Sequence, residues 1–83
     1  MIILFILKCS DDTFYTGVTT DIDRRLDEHN NSSKGAKYTK ARRPVTLAYC
    51  KKVGDRSEAQ KEEYRVRKLS RDEKISLVEN FLK

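Results

Sequence analysis

Residues 2–30 read IILFILKCSDDTFYTGVTTDIDRRLDEHN, and this stretch decides the fold. Ile2 to Lys8 and Thr13 to Thr19 are rich in β-branched and aromatic side chains, which suit a pleated, half-buried surface. Ser10-Asp11-Asp12 between them is turn chemistry, so the two runs predict an antiparallel hairpin. Thr20 or Asp21 then offers a side-chain oxygen to the orphan amides of a helix. That helix is expected to run to about Asn30, with Ile22 and Leu26 one turn apart.

The apolar run Met1–Leu7 is closed at once by Lys8. It has no basic leader and no small-residue cleavage site, and it is too short to cross a bilayer. A buried strand in a soluble, cytoplasmic protein is the expectation.

Working outward, Val45 to Cys50 alternates and predicts a third strand with Val45, Leu47 and Tyr49 on one face. Asp55 followed by Glu58 signals a helix through about Leu69. Ser70 followed by Glu73 signals another, with Ile75, Val78 and Phe81 or Leu82 inward. The order β-β-α-β-α-α describes an α+β domain, a small three-stranded sheet with antiparallel pairing flanked by helices.

With 83 residues and 9.7 kDa the chain is expected to form one domain, residues 1–83, with one core and no large substrate chamber. Cys9 and Cys50 are too few for a disulfide scaffold, and with His29 as the lone histidine a four-ligand structural metal site is not expected. No nucleotide-binding loop, dinucleotide fingerprint or Ser/His/Asp triad is present.

The net charge of +5 is unevenly spread. Lys34, Lys37, Lys40, Arg42, Arg43, Lys51 and Lys52 fall in a 19-residue stretch without an acid, while the rest holds eleven basic and thirteen acidic residues. Gly35 and Pro44 mark this stretch as an irregular loop. Seven cations around Tyr38 suit phosphate contacts plus a stacking ring, so Lys34, Lys37, Tyr38, Lys40, Arg42 and Arg43 are the candidate nucleic-acid contacts.

Five further positions draw notice. Glu63 projects within about 40° of Ala59 and about 60° of Val66, at the edge of the inward helix face. Glu62 flanks the same face on its other side. A carboxylate there is either a surface residue or a metal ligand or general base. Arg25 and His29 are an i, i+4 pair, either a helix-end pairing or an arginine aimed at a phosphate beside a histidine. Tyr15 lies in the second strand beside Gly17, which would let a ligand approach the backbone.

Taken together, Phe14-Tyr15-Thr16-Gly17, then Arg25, His29 and Glu63, resemble the GIY-YIG nuclease domain. The segments YTGVTTDIDRRLDEHN, KGAKYTKARRPV and EYRVRKLSRDEK resemble the short, stand-alone bacterial members over essentially the whole chain. The resemblance implies hydrolysis of phosphodiester bonds in DNA, with repair or recombination as the setting, by in-line attack of water with Mg²⁺ or Mn²⁺. It implies Tyr15, Arg25, His29 and Glu63 as catalytic residues and Glu63 as the metal ligand. Tyr15 would orient or deprotonate the water, Arg25 would face the non-bridging oxygens and His29 would relay the proton. DNA is preferred to RNA as the partner, no membrane is involved, and a protein partner has no support beyond aromatic residues that core packing explains.

Two departures stand out. Phe5 occupies the position where a tyrosine is usual, keeping the ring and losing the hydroxyl. The family's late asparagine has no clear match, Asn80 being a poor one. The alternative is therefore a nucleic-acid-binding module of the same fold with weak or absent catalysis.

Overall fold

The computed structural model describes residues 2–82. Met1, Lys83 and the side chain of Leu82, expected inward above, lie outside the described residues. The elements follow as β1 (Ile2–Lys8), β2 (Phe14–Thr19), α1 (Ile22–Asn31), α2 (Lys37–Lys40), β3 (Thr46–Val53), α3 (Arg56–Arg67) and α4 (Arg71–Leu82). The sheet order is β2-β1-β3 and both pairings are antiparallel, which makes β1 central and β2 an edge strand. This is the expected α+β arrangement, with one short helix added inside the basic loop.

Local signals close the elements as their chemistry requires. In the hairpin turn Asp12 takes a positive φ of 66°, and the Asp11 carboxylate accepts from both the amide and the hydroxyl of Thr13. Asp21 caps α1 by accepting from the Arg24 amide at 3.1 Å. Ser70 and Glu73 form a reciprocal capping box before α4: the Glu73 amide donates to Ser70 Oγ and the Ser70 amide donates to Glu73 Oε1.

Strand alternation divides the core into two faces. Phe5, Leu7 and Cys9 of the first face pack with Val45 and with Ile22 and Leu26 of α1. Leu4 and Ile6 of the other pack with Val66 of α3 and Leu77 of α4. Burying each such Leu, Ile or Phe contributes about 1.5–3 kcal/mol.

Three expectations are corrected. The register slips between Ile6, paired with Tyr49, and Leu7, paired with Leu47, so a bulge at Ala48 carries Tyr49 to the α3–α4 face while Leu47 stays on the α1 face. On α4 the residue packed on the core is Leu77. Ile75 and Val78 are half-buried beside Phe14, and Phe81 lies edge-on to Tyr49 with 42% of its surface exposed. Gly17 makes room for a side chain rather than a ligand, because a Cβ there would fall 2.7 Å from Phe5 Cζ.

Candidate active site

The site forms where β2 leaves the sheet open. Tyr15 points to the α1 face and packs with Phe5, while its neighbours Phe14 and Val18 pack on the α3–α4 face. An edge strand reaches both faces, so one short run supplies side chains to both walls of a cleft. That cleft, of about 410 Å³, is lined by Phe14, Tyr15, Thr16, Tyr38, Arg67 and Lys74.

On the α1 side the site is dry. His29 is completely buried at the end of α1, its ring centroid 5.2 Å from that of Tyr15 and 6.0 Å from that of Phe5. His29 Nδ1 lies 2.7 Å from Thr39 Oγ1, and that hydroxyl lies 2.9 Å from the Ala36 carbonyl. The Ala36 amide N–H donates to Nδ1 at 3.3 Å, so Nδ1 is the acceptor and the ring proton belongs to Nε2, which is buried without a hydrogen-bond partner among the described residues. Burial, reinforced by the Arg25 and Arg43 cations, pushes the imidazole pKa down to about 4, so the ring is neutral at pH 7.

The basic loop is held against this wall by its own chemistry. A Cβ on Gly35 would fall 2.6 Å from the Glu28 carbonyl oxygen and 2.9 Å from His29 Cα, so only glycine allows the loop to lie on α1. Arg25 donates through Nη1 to Glu28 Oε1 at 3.1 Å and to the Lys34 carbonyl at 3.0 Å. Arg43 donates to the carbonyls of His29, Glu28 and Ser32, satisfying the end of α1. Asn30 closes the loop by pairing its side-chain amide with both the N–H and the carbonyl of Val45.

The loop cations therefore divide. Arg43 is committed to backbone carbonyls, and Arg42 donates to Asp11 while covering the Tyr38 ring at 3.9 Å. Lys34, Lys37 and Lys40 are exposed and have no carboxylate partner among the described residues. Tyr38, 37% exposed, stacks on Tyr15 at 6.0 Å and 25°. Its ring continues the Tyr15 wall outward to the Arg42 guanidinium.

On the opposite side the charges are wet. Glu63, with 22% of its side chain exposed, accepts from Arg67 Nη2, and Arg67 lines the cleft. Glu62 turns the other way, bonded to Arg65 and Lys51, and those cations hold its carboxyl below the usual range. The two glutamates that flank the inward face are thus separated by their partners.

The structure brings Tyr15, Tyr38 and His29 together and ties Glu63 to the same cleft through Arg67. Arg25 lies behind, at the junction of α1 and the loop. Sequence reasoning passed over Thr16, Thr39, Arg67 and Lys74. Arg67 was detectable as the i+4 partner of Glu63. Thr16 is 5% exposed and its hydroxyl has no partner among the described residues, a feature only three dimensions reveal.

The profile of the GIY-YIG catalytic domain matches residues 1–76. This chain belongs to the GIY-YIG family. A UPF0213 protein of Desulfotalea psychrophila is 53% identical over 75 residues, 90% of this chain and 68% of that protein. One of Halobacterium salinarum is 49% identical over 74 residues, covering 89% and 95%. The solution structure of a UPF0213 protein from Bacillus halodurans superimposes with a TM-score of 0.60 at 45% identity, covering 95% of this chain and 84% of that one. An Enterococcus faecalis protein solved by the same method gives 0.63 at 44% identity, covering 95% and 83%. GIY-YIG membership implies a nuclease lineage with nucleic acid as substrate and a general dependence on metal. Among the described residues no helix is long and apolar enough to cross a membrane.

Whether this GIY-YIG site can take a metal is answered by its donors. Among the described residues no three His, Cys, Asp or Glu side chains converge as a cage. Glu63 is a single hard carboxylate, paired to an arginine that lines the open cleft. That is the donor set of an ion that keeps most of its waters and shares the phosphate, as Mg²⁺ does, and it does not suit zinc.

Proposed function

We propose that this protein hydrolyses phosphodiester bonds in DNA at the cleft between β2 and α3, with Mg²⁺ or Mn²⁺ held by Glu63. The observation that carries the reading is an open cleft lined by Tyr15, Tyr38, Arg67 and Lys74, with the buried His29 ring 5.2 Å from that of Tyr15 and Glu63 paired to Arg67. Bound there, a divalent ion supplies charge neutralisation to the phosphate and the departing oxygen.

The protein's own groups do the rest. Tyr15 orients the attacking water and takes its proton. A neutral phenol takes the water's proton only as it passes its own on, so it needs a neighbour. His29, its ring centroid 5.2 Å from that of Tyr15, is the neighbour this reading assigns to the relay. Arg25, fixed behind the cleft by Glu28 and the Lys34 carbonyl, supports the charge on the non-bridging oxygens from there and holds the basic loop. Lys34, Lys37 and Lys40 hold flanking phosphates, Tyr38 and Arg42 form the stacking end of the wall, and Arg43 acts by keeping the loop in place.

The test is incubation of the full chain with branched, nicked and single-stranded DNA, and with matched RNA, in Mg²⁺ or Mn²⁺. Metal-dependent cleavage of DNA ahead of RNA, lost in Glu63→Ala, is the expected result. Cleavage no greater than in the Glu63→Ala control refutes the enzyme.

Phe5 favours a second reading, binding with little or no catalysis. Its ring is buried against Gly17, Tyr15 and His29 and carries no hydroxyl into the site. That reading expects salt-dependent binding undiminished by Glu63→Ala, and a gain of cleavage in Phe5→Tyr.

A further inference from the structure

Counted along the chain, the positive excess belongs to residues 34–52 alone, and α3 and α4 look balanced. Folding undoes that balance, because acids and bases on these helices leave in different directions. Glu62 is drawn toward β3 by Lys51. Glu73 closes the capping box at Ser70 and lines a groove with Arg65 and Leu77, away from β2. Glu63 is neutralised by Arg67.

What reaches the cleft from this side is Arg67 and Lys74, against Phe14, Tyr15 and Thr16. Lys74 is half-buried, and among the described residues no carboxylate lies within salt-bridge distance of it. Arg67 gives one nitrogen to Glu63 in an exposed i, i+4 pair, a weak arrangement that is easily exchanged. Neither cation is explained by the needs of the fold. Both face the side opposite Tyr38 and Arg42.

We infer that Arg67 and Lys74 form a second phosphate-binding wall, so that a nucleic-acid strand in the cleft is held from both sides of Tyr15. This rests on the reading of the cleft as a nucleic-acid site. The ligand is the phosphodiester backbone, which demands positive charge and no base identity. Lys74 acts as a point charge, and Arg67 offers the guanidinium nitrogens that its bond to Glu63 leaves free.

The experiment measures binding of the full chain to a fluorescently labelled DNA duplex in EDTA, between 50 and 300 mM KCl, by anisotropy. Lys74→Ala, which leaves Glu63 untouched, and Arg67→Ala are each expected to weaken binding about five- to tenfold near 100 mM salt. Each should flatten the log–log salt slope by about 0.9, and the double variant by roughly twice that. Lys61→Ala, whose side chain lines a groove with Glu58, Glu62 and Arg65, is expected to match the unmodified protein. If the double variant keeps the original slope and affinity while Lys37→Ala/Lys40→Ala loses both, the second wall is wrong and the nucleic-acid reading stands. If the unmodified protein shows no salt-dependent binding, the underlying reading fails and takes the wall with it.

Discussion

The α1 side of the cleft and its α3–α4 side are built on opposite principles. On the α1 side polar groups are buried and hydrogen-bonded into a fixed pattern: His29 to Thr39, Arg43 to three carbonyls, Asn30 to Val45. On the other side charged groups are half in water and paired along exposed helix surface, Glu63 to Arg67 and Glu62 to Arg65. The first arrangement is costly to disturb because each lost partner leaves a desolvated group. The second costs little, because solvent replaces a lost partner. The difference teaches which half of the site can exchange partners during a reaction and which half must stay still. The edge strand joins them, since consecutive residues Tyr15 and Thr16 belong to opposite sides.

The largest expected effect breaks the exchangeable side. Glu63→Gln should reduce metal-dependent cleavage by about a thousandfold, the scale of a lost group at a reacting phosphate. Its thermal midpoint should stay within about 2 °C of the unmodified protein, because only a surface pair is lost. Single-turnover cleavage beside a melting curve checks both. A large fall in stability would show that Glu63 belongs to the rigid half.

The next test strains the rigid side. Gly17→Ala drives a Cβ to 2.7 Å from the Cζ of a fully buried Phe5, and should cost about 2–3 kcal/mol in urea unfolding. Adding Phe5→Leu should recover part of that loss. Absence of coupling between the two would mean that the packing around Tyr15 is looser than described.

Acid separates the sides by the pH at which each weakens. The folded-state pKa of His29 is about 4, below the ordinary value of 6.5, so the unfolded chain binds the proton more readily. Its stabilising contribution is complete above pH 6.5 and is lost as pH falls toward 4, reaching about 2 kcal/mol at pH 5. The Glu62 and Asp11 carboxyls are held low by their hydrogen bonds, so their contributions fade only at more acid pH. Urea unfolding at pH 7 and pH 5 should show the loss, and His29→Gln should remove most of it.

The smallest effect is expected at Thr39. Thr39→Val keeps the shape and removes the hydroxyl that lies 2.7 Å from His29 Nδ1 and 2.9 Å from the Ala36 carbonyl, a cost of about 1–2 kcal/mol that Thr39→Ser should restore. Nitrogen chemical shifts of the imidazole should show the Nε2–H tautomer in the unmodified protein and in Thr39→Ser. A mixture of tautomers in Thr39→Val would place the control of the ring at Thr39.

The sequence disclosed what local chemistry decides. Asp21, Asp55 and Ser70 start their helices, and the Asp11–Asp12 turn joins its strands, because each acts on backbone within a few residues. Tyr15, Arg25, His29 and Glu63 came from a family resemblance, and neither composition nor periodicity singled out their shared purpose. What escaped depends on distant pairing. The bulge at Ala48 exists only when β3 docks on β1, and it reverses the face of Tyr49. The commitment of Arg43 to the end of α1 is invisible in a run of basic residues, as is the segregation of charge across α3 and α4.

Asn30 gives the molecule one more property. By binding both polar atoms of the Val45 peptide it fastens the end of α1 to the threshold of β3, so residues 31–44 leave and re-enter the body at one stitched seam. Chain added between Ser32 and Lys34 would lengthen a loop whose ends are already joined, and doubling such a loop costs only about 0.6 kcal/mol. The outer lobe can therefore change length without renegotiating the sheet or the buried histidine beneath it.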